Sequence, residues 1–209
     1  MPIGVAKEIL FVNDGSTDAT HSIVETFKNE RNDIDLKVLH HSKNLGKGAC
    51  IQLGSKHATG DFIIIQDADL EYNPSDYCKM LTLFLDGYAD VVYGSRFRGS
   101  EPHRVLFFMH TMGNKLLTFV SNLFTQLNLS DMECGYKMFR ADILKKIELK
   151  ENRFGFEPEI TARISRIKNI RIYEVGVSYF GRTYVEGKKI KWQDGFRALY
   201  CIIKYNLFK

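Results

Sequence analysis

Short apolar runs separated by amphipathic stretches constrain this chain more than any other feature. The runs are EILFV (Glu8–Val12), DLKVLHH, DFIIIQ and ADVVYG. A strand that is apolar on both faces must be covered on both. Between the runs, apolar residues recur at helical spacing. Ile23, Val24 and Phe27 form a core-facing stripe in the first interval. ACIQLGSKHA follows the flexible turn NLGKG in the second, and NPSD opens a helix over Ser75 to Asp86 in the third. This β-α-β-α-β order predicts an α/β fold with a mostly parallel sheet and helices on both faces. In such sheets ligands bind beyond the carboxyl ends of the strands. NDGSTD, where Ser16 or Thr17 can cap a helix, and DADLE both fall at those ends.

The second half has a different rhythm. From Val105 to Leu127, Phe108, Met112, Leu116, Phe119 and Leu123 share one helical face, and Asn114, Lys115, Thr118, Ser121 and Thr125 lie opposite. Such a stripe either packs on the core or lies in a membrane interface, and its polar side rules out a span. GYKMFR and IRIYEVGVSYF read as strands, ADILKKI and EPEITARISRI as helices. The tail from Arg182 is rich in Lys and Arg and ends in the amphipathic FRALYCIIKYNLF. Residues 1–181 therefore read as the main domain and 182–209 as a basic C-terminal segment. At 209 residues and 44% hydrophobic, the chain can bury a core of its own. A net charge of +4 is too mild to indicate nucleic acid. Four widely spaced cysteines without a CxxC pair indicate buried thiols in a reduced cytoplasmic chain, not a disulfide or zinc framework.

The chemistry-bearing motifs each admit two readings. In extended chain, Asp67 and Asp69 point the same way, and Glu71 adds a third carboxylate, so DADLE can hold Mg²⁺ or Mn²⁺ beside a diphosphate. It can equally be a solvated acidic turn. Asp14 in NDGSTD can accept hydrogen bonds from a nucleoside or simply close an Asx turn. Lys47 in NLGKG can meet phosphate, as can Arg96 in GSRF, whose fork suits phosphate oxygens. Arg182, Lys188, Lys189 and Lys191 form a late basic cluster that is either a phosphate clamp or a solvated face. His40 and His41 have no metal-ligand spacing to other histidines and read as structural.

Seven blocks in order, EILFVNDGSTDAT, NLGKG, DFIIIQDADLEYNPSDY, ADVVYGSRF, DMECGYKMFR, FGFEPEI and GRTYVEGKK, resemble the family 2 glycosyltransferases. Within that family the pattern is similar to the dolichol- and undecaprenyl-phosphate sugar synthases. The resemblance implies a GT-A fold, a Rossmann-like sheet with one nucleotide-sugar site, and inversion at the anomeric carbon. It implies that Asp14 contacts the nucleoside and that Asp67 and Asp69 hold the metal and diphosphate. Arg182 and Lys189 correspond to basic residues that clamp the donor diphosphate or the acceptor phosphate. Asp131 stands where relatives carry an acid near the reacting centre. The implied acceptor is a polyprenyl phosphate, met at the cytoplasmic face of a membrane.

Three departures accompany the resemblance. Asn13 stands where the family has an aspartate. HTMGN lacks an arginine that many polyprenyl-phosphate synthases carry there, which leaves Arg96, His103, Arg104 or Lys115 to hold the acceptor phosphate. Relatives also open with a strand, an IPVYNE-type signature and a helix before the strand matching EILFV, whereas Met1–Lys7 leads straight into that strand here. Without that unit, neighbouring strands are expected to lose a partner and expose apolar edges. Two other functions stay open: transfer to a saccharide hydroxyl, for which Asp131 would serve as the base, and a non-catalytic nucleotide-binding remnant.

Overall fold

The computed structural model describes residues 4–99, 101–105, 107–183, 185–187 and 192–208. The strands are β1 (Glu8–Asn13), β2 (Asp35–His40), β3 (Phe62–Ile64), β4 (Val91–Ser95), β5 (Lys137–Arg140) and β6 (Ile172–Gly176). The helices are α1 (Thr20–Glu30), α2 (Lys47–His57), α3 (Tyr77–Leu85), α4 (Phe108–Thr125), α5 (Ala141–Leu144), α6 (Phe156–Ile164) and α7 (Trp192–Leu207). The run that opens on NPSD begins with a 3₁₀ turn at Pro74–Asp76, where the Asn73 side chain accepts from the Ser75 N–H, before α3 takes over.

β4 is the centre of the larger sheet, which has the order β3-β5-β4-β6. All five of its residues are buried, as its unbroken apolar run requires. β6 runs parallel to it and β5 antiparallel to both β4 and β3, so three of the four strands share one direction. Alternation along β4 divides the core in two. Val91 and Tyr93 pack with Phe139, Phe156, Ile160 and Ile202 on one face, and Val92 packs with Met138, Met80, Leu81 and Phe84 on the other. Each fully buried side chain of this kind contributes about 1.5–3 kcal/mol. The sheet is thus covered on both faces.

β1 and β2 form a separate parallel pair, Glu8 opposite Asp35 through Asn13 opposite His40. Among the described residues, β1 pairs only with β2 and β3 only with β5. Leu10 and Val12 of β1 line the same cleft as Phe62 and Ile64 of β3. Both strands therefore present apolar side chains to the cleft.

Two helices depart from the sequence reading. α1 starts at Thr20, with the Asp18 carboxylate accepting from the Thr20 N–H and hydroxyl, and it has no buried residue. Ile23 and Phe27, expected in the core, are 63% and 44% exposed. α4 is inverted: Thr118, Ser121 and Thr125 are its buried residues, while Phe108, Met112, Leu116, Phe119 and Leu123 are exposed. The reason is the loop before β5. Asn122 Nδ2 donates to Leu129 O at 2.8 Å, the Leu129 N–H donates to Asn122 Oδ1, and the Met132 N–H donates to Thr118 Oγ1 at 3.2 Å. Buried backbone groups need partners, and α4 supplies them with its polar side.

α7 lies against α6 and α4, with Ala198, Cys201, Ile202 and Tyr205 buried. Glu151 ties it down, accepting from Arg197 at 2.6 Å, Tyr205 at 2.8 Å and Lys204 at 3.1 Å. Burial alone would raise the Glu151 pKa, but the bonds from Arg197, Tyr205 and Lys204 hold it at about 2. A depressed carboxyl stabilises the fold above the unfolded value of about 4.3 and loses that contribution as pH falls toward 2. Glu151→Gln is therefore expected to cost about 2 kcal/mol at neutral pH. It should also flatten the fall in melting temperature below about pH 4.3. Thermal melts of both proteins from pH 7 to pH 3 measure the difference.

The four cysteines are all free; Cys134 and Cys201 are buried, but Cys50 and Cys78 are only half-buried. No helix among the described residues is long and apolar enough to cross a membrane.

Candidate functional site

Strand ends and one helix start deliver charged groups to a cleft of about 1730 Å³. Asp14 follows β1, Lys47 opens α2, Asp67, Asp69 and Glu71 follow β3, and Arg96 follows β4. This is the carboxyl end of the sheet, where the strand order places them.

Asp67 and Asp69 do not share a face by strand alternation. β3 stops at Ile64, residues 68 and 69 form a turn, and Leu70 sits in the left-handed region at φ 61°. The turn, not the pleat, brings Asp67, Asp69 and Glu71 to the same cleft. Each acid has a cationic partner. Lys47 Nζ donates to Asp67 Oδ2 at 2.9 Å and lies 3.0 Å from Glu157 Oε1. Burial works against the Lys47 charge, yet Glu157 and Asp67 hold its pKa above the ordinary value. Arg182 donates from Nη2 to Asp69 Oδ2 at 3.0 Å, and from its backbone N–H and Nε to Glu71 Oε1 at 2.9 and 3.1 Å.

Burial pushes the Asp69 carboxyl above its usual range; the Glu71 backbone N–H opposes that, and the charges of Glu71 and Asp67 add to it. Carboxylates this crowded fit a divalent cation, which would relieve their repulsion. An all-oxygen donor set suits Mg²⁺ or Mn²⁺.

Asp14 shapes the neighbouring turn. Its carboxylate accepts from the Leu45 N–H at 2.9 Å and the Gly46 N–H at 2.7 Å, with His41 Nδ1 2.8 Å away. Against the upward push of burial, these partners hold its pKa low. Gly46 adopts φ 103°, and a Cβ there would meet Asn152 O at 2.5 Å, so the turn NLGKG needs a glycine at this point. Asn13 is buried and accepts the Ser16 N–H at 3.0 Å.

Asp131 is fully buried and fully engaged. Arg96 grips it with Nε to Oδ2 and Nη2 to Oδ1, both at 2.7 Å, and with its backbone N–H at 3.0 Å. Asn114 Nδ2 donates to Oδ1 at 3.1 Å. The Arg96 fork is thus spent on Asp131, while its guanidinium carbon lies 5.3 Å from the Tyr179 ring centre. The expected role of Asp131 as a proton acceptor finds no free oxygen in this arrangement. Lys115 is exposed on α4, its ammonium 5.6 Å from the Phe97 ring centre. Arg104 pairs with Glu186 at 2.7 Å, and His103 Nδ1 lies 3.4 Å from Glu101 O. Lys188, Lys189 and Lys191 lie outside the described residues.

Two acids escape a motif reading. Glu157, on α6, pairs directly with Lys47 and, among the described residues, keeps Oε2 buried without a hydrogen-bond partner. Glu174, on β6, accepts from the Ser130 and Asp131 N–H groups at 2.8 and 3.1 Å and from Arg98, so it holds the loop that carries Asp131. FGFEPEI marked the region of Glu157 without giving the residue a role, and no local pattern marks Glu174.

The wall of the cleft continues along Met109, Gly113 and Leu117 of α4 and Trp192, Gly195 and Ala198 of α7. The exposed α4 stripe and Trp192, Phe196 and Tyr200 of α7 extend that apolar character to the outer surface.

A model of glycosyl transferase family 2 matches residues 5–148. The chain is 30% identical over 211 residues to a dolichyl-phosphate beta-glucosyltransferase of Trichomonas vaginalis, covering 96% of this chain and 62% of the relative. It is 27% identical over 177 residues to a dodecaprenyl-phosphate galacturonate synthase of Rhizobium johnstonii, covering 85% of this chain and 50% of that one. The chain thus spans less than two thirds of the length of these curated relatives. Among solved structures, the glucosyl-3-phosphoglycerate synthase of Mycobacterium tuberculosis, in complex with Mn²⁺, uridine diphosphate and phosphoglyceric acid, superposes with a TM-score of 0.71. The identity is 13%, over 98% of this chain and 69% of that one. That likeness shows the fold, which is the GT-A arrangement.

Proposed function

Because the chain belongs to glycosyl transferase family 2, we propose that it moves a sugar from a nucleotide donor to a polyprenyl phosphate with the help of Mg²⁺ or Mn²⁺. One observation carries the choice of acceptor: a single cleft runs from Asp67, Asp69 and Arg182 to the apolar walls of α4 and α7. An amphiphile with a phosphate head and a hydrocarbon tail matches both ends of that cleft.

The nucleophile requirement supports the same reading. A phosphomonoester has a second pKa near ~6 and is already anionic at neutral pH. A sugar hydroxyl needs a base as it attacks, and Asp131 has both oxygens committed to Arg96 and Asn114. On this reading Asp131 fixes Arg96 and the loop before β5.

Asp67 and Asp69 would hold the metal, with Glu71 holding Arg182 beside them. A divalent ion there supplies Lewis-acid stabilisation of the departing nucleoside diphosphate, worth several kcal/mol. With the ion bound, Lys47 and Arg182 would supply cationic contacts to the diphosphate oxygens. Asp14 and the turn at Gly46 floor the nucleoside end. Glu157, with its free buried oxygen, is placed to accept a hydrogen bond from a hydroxyl of the transferred sugar.

The proposed setting is the cytoplasmic face of a membrane, met peripherally through α4 and α7. Phe108, Leu116 and Phe119 are 73%, 62% and 59% exposed, so replacing them costs the fold little. Each would bring about 1.5–3 kcal/mol if buried in lipid. The variant Phe108→Ser/Leu116→Ser/Phe119→Ser is therefore expected to bind anionic vesicles at least about tenfold more weakly. It should keep transfer to a short, water-soluble prenyl phosphate. Unchanged vesicle flotation would remove α4 from the membrane contact.

A further inference from the structure

Away from the cleft, three side chains that the sequence keeps apart come together. His21 and Glu25 stand one turn apart on α1, and His40 ends β2. Their ligand atoms all lie within 4.8 Å of one another. The two imidazoles meet edge-on, ring centres 4.4 Å apart at 66°. His40 Nε2 lies 3.4 Å from Glu25 Oε1. That is long for an N–H···O hydrogen bond, whose usual length is about 2.9–3.0 Å. Two ligands of a tetrahedral zinc ion, each about 2.05 Å from it, lie about 3.3 Å apart. The observed separation matches the second geometry better than the first.

We propose that His21, Glu25 and His40 form a zinc-binding clip that fastens α1 to the carboxyl end of β2. Two imidazoles and one carboxylate are a borderline donor set, suited to Zn²⁺ and not to the hard ions that fit Asp67 and Asp69. Three protein ligands leave a fourth position for water. The clip also answers a structural need. α1 buries no residue and leaves Ile23 and Phe27 exposed, so apolar packing holds it weakly, and a bond to β2 would replace what packing does not provide. His41, the next residue, faces the opposite way and contacts Asp14. The clip therefore sits one residue from the floor of the cleft without sharing a ligand with it.

The test is a zinc titration of the intact protein against a chromophoric chelator, in excess Mg²⁺ so that the cleft carboxylates are occupied. One equivalent is expected to bind. His21→Ala and His40→Ala should each weaken it by at least about tenfold, since even outer-shell changes cost 10–100-fold. Zinc should raise the melting temperature of the unaltered protein and not that of His40→Ala. A second cluster, Asp14, His41 and Cys50, is also close enough to share an ion, so Cys50→Ser serves as the control and should keep the equivalent. Zinc bound equally well by the His21→Ala/His40→Ala double variant overturns the proposal. So does loss of the equivalent in Cys50→Ser alone, or no binding at micromolar zinc.

Discussion

Replacing Asp69 with alanine is expected to lower sugar transfer at least about a hundredfold while leaving the fold in place. The side chain is 27% exposed and, among the described residues, makes one ion pair, to Arg182, so little packing is lost. What disappears is one of two carboxylates placed to hold the divalent ion. Each ~1.4 kcal/mol of lost transition-state stabilisation is a factor of ten in rate, and an ion in such a site contributes several kcal/mol. Asp69→Asn should fall nearly as far, because an amide keeps the shape but not the charge. Loss of rate should be accompanied by a rise in the Mn²⁺ concentration needed for half-maximal activity. If Asp69→Ala kept its rate and its metal dependence, the acids after β3 would be a surface turn and the ion would sit elsewhere.

Arg96→Ala is expected to act on stability more than any other single change at the site. It leaves Asp131, fully buried, with the Asn114 amide and the backbone N–H of residue 96 as its side chain's remaining partners among the described residues. Removing one member of a buried ion pair typically costs about 3–5 kcal/mol. In a chain of this size that is roughly 6–20 °C in Tm. The double variant Arg96→Leu/Asp131→Asn should recover part of the loss, since the uncompensated charge has gone. A melting temperature within about 2 °C of the unaltered protein for Arg96→Ala would show that Asp131 is not held as a buried carboxylate. Such a result would reopen its use as a base.

Much of the fold was legible because it is written locally. The unbroken apolar runs of β1, β3 and β4 announced strands, and their ends placed Asp14, Asp67 and Arg96 on one side of the sheet. Of these strands, β4 is covered on both faces, while β1 and β3 turn apolar side chains to the cleft. What was not legible depends on partners far away in sequence. Polarity along α4 marked two faces but not which one was outside. The Leu129–Met132 backbone claimed Asn122 and Thr118 and turned the apolar stripe outward. Strand alternation suggested that Asp67 and Asp69 point together, but β3 ends three residues before Asp67, so the turn at Leu70 decides their directions instead. Arg96 and Asp131 stand 35 residues apart, and neither motif hinted that one would absorb the other. His21, Glu25 and His40 escaped a spacing rule because a helical turn and a strand end have to meet before they form a cluster.

The most direct measurement is transfer itself. The protein is incubated with Mn²⁺, labelled nucleotide sugars and polyprenyl phosphate, and the lipid is extracted and counted. Label entering the lipid phase, dependent on the ion and lost in Asp69→Ala, is the predicted result. Donor binding with no label in any prenyl phosphate, or label appearing only in a soluble saccharide, would contradict the account.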